Sequence, residues 1–294
     1  MCSKCLISFL SKNKMKILVL GKNGQVASSL AELSDGLIFH DRHSADFTNP
    51  QSCVELVEAF EGDVIVNAAA YTNVEKAESE EELASLINGT TPGAIAKCAA
   101  GKNIPIIHIS TDYVFDGKSE APWQPDDNVN PINAYGRSKL AGERLIQESG
   151  CQYVILRTSS VFSSYGNNFV KTMLRLAQTH PSLRVVEDQI SGPTAAADIA
   201  QAILAIVASI NDGKFQSGIH HFCGAPYASW AEFALEIFKQ SGKPTKVEGI
   251  PSSEYPSALT RPMNSRLDCT SLEQTFGIKR PDWRESLRKV LKEL

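Results

Sequence analysis

From Lys16 onward the chain alternates between short apolar runs and longer amphipathic stretches. "KILVL" is an apolar run ending at a glycine turn, and "QVASSLAEL" after it carries helical spacing. "GLIFHD", "DVIVNAA", "IPIIHIST" and "YVILRTS" repeat the first kind of segment, and "RSKLAGERLIQES" repeats the second. "SEEELASLINGTTPGAIAKCAA" reads as one long helical region with a break near Pro92. A short continuous apolar run suits a strand covered on both faces, and an amphipathic segment after it supplies the crossover to the next parallel strand. The pattern predicts an α/β fold with a doubly wound parallel sheet over residues 15–160.

Beyond Ser160 the rhythm loosens. "NNFVKTMLRLAQ", "ADIAQAILAIVASI", "YASWAEFALEIFKQ" and "DWRESLRKVLKEL" have helical spacing, while "GIPSSEYPSALTRP" reads as a loop. Residues 161–294 are expected to form a smaller region, partly interleaved with the sheet. "MCSKCLISFLSKNK" precedes a second methionine, Met15, and reads as a disordered extension over residues 1–14. Its apolar stretch is too short for a signal-peptide core and lacks a small-residue cleavage site.

Composition narrows the class. The chain has 294 residues, 43% hydrophobic and 21% charged, with a net charge of -4, so a general nucleic-acid-binding surface is disfavoured. No apolar run approaches the roughly 18 residues of a membrane span. The 7 cysteines are an odd number and mostly scattered, which fits a reducing cytoplasm better than a disulfide framework. Cys2 and Cys5 have metal-like spacing without a second Cys/His pair, so no metal site is expected.

Three motifs carry chemistry. "GKNGQVA", from Gly21 to Ala27, joins the first strand to the first helix. Its first glycine permits a tight turn, and its second lets the backbone approach a pyrophosphate at the helix N-terminus. Asp41 and Arg42 end the second strand, where an acid can accept from a ribose hydroxyl and a guanidinium can pair with a 2′-phosphate; the alternative is a solvated turn. Together these residues predict a dinucleotide site for NADPH or NADH. Small residues in "NAAAYT" would let such a cofactor lie against the backbone. "STDYVFDG" ends the fourth strand and offers Thr111 and Asp112. Finally, Tyr135 and Lys139 in "NAYGRSKLAGE" share a helix face. They are either two ordinary helix residues or a proton-handling pair in which an ammonium lowers the phenol pKa.

The chain resembles the extended short-chain dehydrogenases/reductases, in their sugar-nucleotide branch. The resemblance runs from Met15 almost to the C-terminus through "GKNGQV", "VIVNAAAYTNVEKAE", "STDYVFDG", "YGRSKLAGE", "GNNFVKTMLRLA", "DQISGPT", "RPMNSRLD" and "PDW". It implies a catalytic set of Thr111, Tyr135 and Lys139, to which Asn88 of "LINGT" is added through a helix and a water. It implies a cofactor site built from Gly21, Gly24, Gln25, Val26, Asp41, Arg42, Asp46, Phe47, Ala69, Ala70, Thr72, Tyr135 and Lys139, with Asp46 and Phe47 beside the adenine. The implied substrate is a dTDP-linked 4-keto-6-deoxy sugar, bound by Thr111, Asp112, Ser160, Asn168, Phe169, Lys171, Gln189 and Arg261. Reduction of its carbonyl is the expected reaction.

Two departures from the family pattern stand out. A tryptophan near the sugar is replaced by Ser160, for which Phe162, Tyr165 or Phe169 are expected to compensate. An acid of the first helix that helps hold Mg²⁺ at a dimer contact is replaced by Ser29, which argues against a metal-bridged dimer while leaving a homodimer open. Two rival readings remain at this point: a sugar-nucleotide 4-epimerase, and a catalytically silent regulatory subunit of the same fold.

Overall fold

A computed structural model describes residues 15–34, 36–256 and 259–294. The expectation for residues 1–14 lies outside them. The apolar runs become strands β1 (Ile17–Leu20), β2 (Leu37–His40), β3 (Val64–Asn67), β4 (Ile106–Thr111) and β5 (Tyr153–Thr158). Between them lie α1 (Gln25–Leu33), α2 (Pro50–Ala59), the short helices α3 (Val74–Ala77) and α4 (Glu81–Ser85), α5 (Thr91–Gly101) and α6 (Ala134–Glu148). The remaining elements are β6 (Val161–Phe162), α7 (Phe169–Leu176), β7 (Ser182–Val186), β8 (Ile190–Ser191), β9 (Thr194–Ala195), α8 (Ala196–Asn211), β10 (Gly218–His221), β11 (Ala228–Ser229), α9 (Trp230–Ser241), β12 (Lys246–Ile250), β13 (Asn264–Ser265), α10 (Thr270–Phe276) and α11 (Trp283–Glu293).

The main sheet has 6 parallel strands in the order β10-β5-β4-β3-β1-β2. Successive strands are added on opposite sides of β1, with β2 on one and β3 on the other, and this switch leaves a crevice at the carboxyl ends of β1 and β3. One face packs Val19 and Val66 against Ala27 and Leu30 of α1 and against Ile199, Ile203 and Val207 of α8. The other packs Leu18, Leu20 and Ile65 against Val57 of α2, Ile95 and Ala99 of α5, and Ile146 of α6. Both faces are therefore dry, which is why the strands read as unbroken apolar runs.

The long helical region departs from expectation. Its interruption is a π-helical turn over Leu86–Thr90, and Pro92 follows directly in the first turn of α5. The second half of the chain supplies the sixth strand, β10, and builds a separate core. In that core Phe162, Phe233, Ile237, Trp283 and Leu287 are buried among α7, α9, α11 and the small sheets.

Candidate active site

A cleft of about 1610 Å³ runs along the carboxyl ends of β1, β2, β3 and β4 and under the second-half elements. Single small-ligand pockets span roughly 300–1,000 Å³, so this one has room for a dinucleotide and a second nucleotide together.

One end is built for a pyrophosphate. Gly21 has φ of 93°, and a Cβ there would meet Ala69 N at 2.7 Å, so only glycine passes this close to β3. Gly24 begins α1, which has neither a side-chain cap nor an acid in its first turn. Its first amides, at Gln25 and Val26, line the cleft and have no partner within the helix. That is the donor set a phosphate group requires. Asp41 and Arg42 line the adjoining wall, with Asp46, Phe47, Ala69, Ala70 and Thr72. The Asp41 carboxylate already caps its own turn, accepting from the amides of His43 and Ser44 at 2.9 and 3.2 Å, and these bonds hold its pKa below the usual range. Asp46 is held low in the same way by Thr48, with Arg42 adding a further favourable charge.

The other end gathers the acid–base candidates. Thr111, Asp112, Tyr135 and Lys139 all line the cleft. Thr111 ends β4, and α6 starts at Asn133, whose Oδ1 caps the helix by accepting from Gly136 N at 2.9 Å. A Cβ on Gly136 would collide with the Tyr113 carbonyl, so glycine permits the close approach of α6 to the end of β4. Thr111 Oγ1 donates to Asp112 Oδ1 at 3.0 Å. Burial pushes the Asp112 carboxyl up to about 6, against hydrogen bonds from Ser265 and Thr111 that favour its charge.

The Tyr135–Lys139 pair differs from the sequence expectation. Burial, reinforced by the Asp112 charge, raises the Tyr135 phenol well above its ordinary value, while a hydrogen bond with Thr111 acts the other way. Lys139 does not lower it. The Lys139 Nζ faces the sheet instead, donating to Ile109 O at 2.7 Å and lying 3.1 Å from His108 Nε2. Desolvation brings Lys139 down to about 8, against the favourable charge of Glu143.

Two expected site residues do not line the cleft. Asn88, on the π turn, is fully buried behind the cleft. Its Oδ1 accepts from Tyr71 N at 2.8 Å, and its Nδ2 donates to Tyr71 O and Ser138 Oγ, both at 3.0 Å. These bonds clamp the 69–72 wall to α6. Lys171 does not line the cleft; its Nζ donates to Ser164 O at 3.0 Å.

Ser160, Asn168, Phe169, Gln189 and Arg261 do line it. Asn168 spends its amide internally, donating to Gln25 Oε1 at 3.1 Å and to Ser163 O at 2.8 Å while capping α7. Gln189 donates to Ser252 Oγ at 2.9 Å. Arg261 pairs with Glu75 at 3.1 Å and keeps a buried, unpartnered Nε. Ser160 adopts a left-handed φ of 46° and shares a 2.7 Å hydrogen bond with Ser191.

Of the aromatics expected to compensate for the serine, only Phe169 lies in the cleft. Phe162 is buried in the second core, and Tyr165 bonds Glu32 on the far side of α1. Trp230, which the sequence reading passed over, lines the cleft and packs on Phe169 with ring centroids 4.7 Å apart. The sequence signal was a tryptophan at the N-terminus of an amphipathic helix, a place where an indole is half free. Ser29 is buried on α1, and among the described residues no group of three or more His, Cys, Asp and Glu is placed to hold a metal ion.

A parallel nucleotide-binding sheet, a glycine turn into α1 and a Tyr–Lys helix beside the end of β4 define the class of the extended short-chain dehydrogenases/reductases. The family described as RmlD substrate binding domain matches residues 15–294, and the chain belongs to it. The dTDP-4-dehydrorhamnose reductase of Sinorhizobium fredii is 43% identical over 286 residues, covering 94% of this chain and 97% of that protein. Among solved structures, the dTDP-4-dehydrorhamnose reductase of Clostridium acetobutylicum aligns with a TM-score of 0.89 and 36% identity, covering 95% of this chain and 99% of that one. The Bacillus anthracis dTDP-4-dehydrorhamnose reductase, in complex with NADP, aligns with a TM-score of 0.87 and 33% identity over the same shares.

Proposed function

We propose that this protein is a dTDP-4-dehydrorhamnose reductase, which uses NADPH or NADH to reduce the 4-keto group of dTDP-4-dehydro-6-deoxy-L-mannose. The observation that carries the reading is the single cleft that joins an uncapped, glycine-turned helix N-terminus to Thr111, Tyr135 and Lys139. Full-length similarity to the reductases supplies the substrate.

The chain's own residues divide the work. The α1 amides and Gly21 receive the pyrophosphate, and Arg42 meets a 2′-phosphate. When bound, the reduced nicotinamide supplies a hydride to the sugar carbonyl carbon. Tyr135 gives its proton to the oxygen that becomes a hydroxyl. The upward pull of burial suits this role, because it keeps the phenol protonated at neutral pH. Thr111 hydrogen-bonds the same oxygen as charge develops there. Phe169 and Trp230 supply the apolar wall that a tryptophan in place of Ser160 would give. Arg261, which lines the cleft, binds the diphosphate of the substrate.

The test is oxidation of NADPH, followed by absorbance, in the presence of the dTDP-4-keto sugar, with the product identified by mass and by NMR. A dTDP-6-deoxy sugar with a new C4 hydroxyl is expected. Turnover without net NADPH loss would instead mark an epimerase.

A further inference from the structure

Beneath the cleft floor, two polar side chains to which the reaction gives no part form a line with Lys139. Asn67 at the end of β3 and His108 in β4 are both fully buried, and Lys139 of α6 is 1% exposed. Asn67 Nδ2 lies 3.0 Å from His108 Nδ1, and His108 Nε2 lies 3.1 Å from Lys139 Nζ.

The proton positions along this line follow from its first member. The Ala69 amide needs an acceptor and finds Asn67 Oδ1 at 3.1 Å. That fixes the amide, so Nδ2 points at His108 as a donor. His108 Nδ1 must then accept, and a neutral imidazole that accepts at Nδ1 carries its proton on Nε2. An Nε2–H donor facing Lys139 Nζ requires a lone pair there, which an ammonium lacks and an amine has. Lys139 Nζ still has protons to give Ile109 O.

We propose that Asn67 and His108 act as positioning residues through a tautomer lock: they admit Lys139 to its place against the sheet only as the neutral amine, and protonation releases it into the cleft toward the cofactor. The release deepens the proposed function and rests on Lys139 belonging to its cofactor site; the lock itself needs no substrate. The other ionisable groups around Lys139 leave the lock in place. Glu143 on α6 favours the ammonium but is bound by Arg157 of β5 at 2.7 Å and by Ser110 of β4 at 2.5 Å. Tyr135 on α6 and Asp112 after β4 line the cleft into which the ammonium would move. Asn88 and Ser138, from the π turn and α6, carry no charge. Burial brings Lys139 to about 8, so both forms are reachable by a modest change of pH.

Two measurements on the intact chain test the lock without turnover. In protein labelled with ¹⁵N-histidine, two-bond ¹H–¹⁵N spectra should show His108 as the Nε2–H tautomer, its resonance assigned by loss in His108→Gln. Calorimetry of NADPH binding at pH 8.5, in buffers of different ionisation enthalpy, should show uptake of more than about half a proton per chain, because a group titrating near 8 is mostly neutral there before release. Lys139→Met should abolish the uptake. Asn67→Asp keeps the acceptor for Ala69 but turns the donor to Nδ1 into an acceptor. It should flip His108 to Nδ1–H, seat the ammonium and bring the uptake close to zero. An Nδ1–H tautomer in the wild type, or no proton uptake, overturns the lock, and both readings remain available if a variant fails to fold. A protein that shows the tautomer and the uptake but does not reduce the dTDP-4-keto sugar would keep the lock and lose the substrate assignment.

Discussion

Replacing Glu143 by Gln should destabilise the protein by several kcal/mol, although this residue does not line the cleft. Glu143 lies on the α6 helix that carries Tyr135 and Lys139, and Arg157 lies on β5. Their side chains are 0% and 3% exposed, with Arg157 Nε 3.0 Å from Oε1 and Nη2 2.7 Å from Oε2. Ser110 donates a further bond to the carboxylate, and the guanidinium also donates to Pro125 O at 3.1 Å. The substitution keeps the shape and one acceptor but leaves the guanidinium charge buried without its counter-charge. Breaking a buried pair from one side costs about 3–5 kcal/mol, and the retained amide oxygen places this case at about 3. Against a whole-protein stability of roughly 5–15 kcal/mol, that is a large share. At roughly 2–4 °C per kcal/mol, the midpoint should fall by about 6–12 °C. Urea unfolding followed by circular dichroism measures the loss directly. The double substitution Glu143→Met with Arg157→Met removes both charges and should recover much of it, since apolar replacement of a buried pair is often neutral. A loss under about 1 kcal/mol for Glu143→Gln, or a double variant as unstable as the two single ones combined, would refute the reasoning.

Other expectations concern the cleft. Tyr135→Phe should lower kcat by about 10²–10⁴-fold with NADPH affinity retained, and near-normal turnover would remove Tyr135 from the acid role. Arg42→Ala should weaken NADPH more than NADH in equilibrium titrations, because only NADPH carries the 2′-phosphate; equal losses would place the guanidinium elsewhere. Asp112 has a folded pKa of about 6, raised from 3.8, so its contribution to stability is complete below about pH 4 and is lost as the pH rises through 6. Wild type should therefore lose about 2 kcal/mol relative to Asp112→Asn between pH 4 and pH 8, and a constant difference in unfolding free energy would argue against a desolvated carboxyl. Phe169→Ala and Trp230→Ala should each raise KM for the dTDP-4-keto sugar more than they lower kcat; an unchanged KM in both, with folding intact, would leave the sugar's apolar wall unexplained.

The strands were legible because burial on both faces writes itself as continuous apolar residues, and the glycine turn and Thr111 followed because each sits where such a strand ends. Helix α2 was missed since "PQSCVELVEA" buries only Cys53 and Val57 and shows little apolar periodicity. The π turn has no signature of its own in "LINGT", and its consequence, an asparagine that clamps Tyr71 to Ser138, depends on backbone geometry alone. Lys171 matched a family motif by position, but a flexible ammonium settles on the nearest carbonyl, here that of Ser164. The inward course of Lys139 had one visible clue: His108 and Asn67 are polar residues inside two otherwise apolar strands. Sequence spacing placed Tyr135 and Lys139 on one face and could not say that their polar ends diverge.

The position of β10 governs how this chain can fold. It covers the outer edge of β5, yet about 60 residues separate Thr158 from Gly218. During synthesis at roughly 5–20 residues per second, β5 is complete several seconds before its neighbour exists. For that interval its edge groups are an open template for another chain. The first half of the protein is therefore a poor candidate for independent life: a fragment ending near Ser160 would carry every strand of the nucleotide site and still display an unpaired, apolar edge. Closure of the edge is a long-range event that loop entropy delays, which makes its timing, rather than the strength of the nucleotide site, the step most exposed to aggregation.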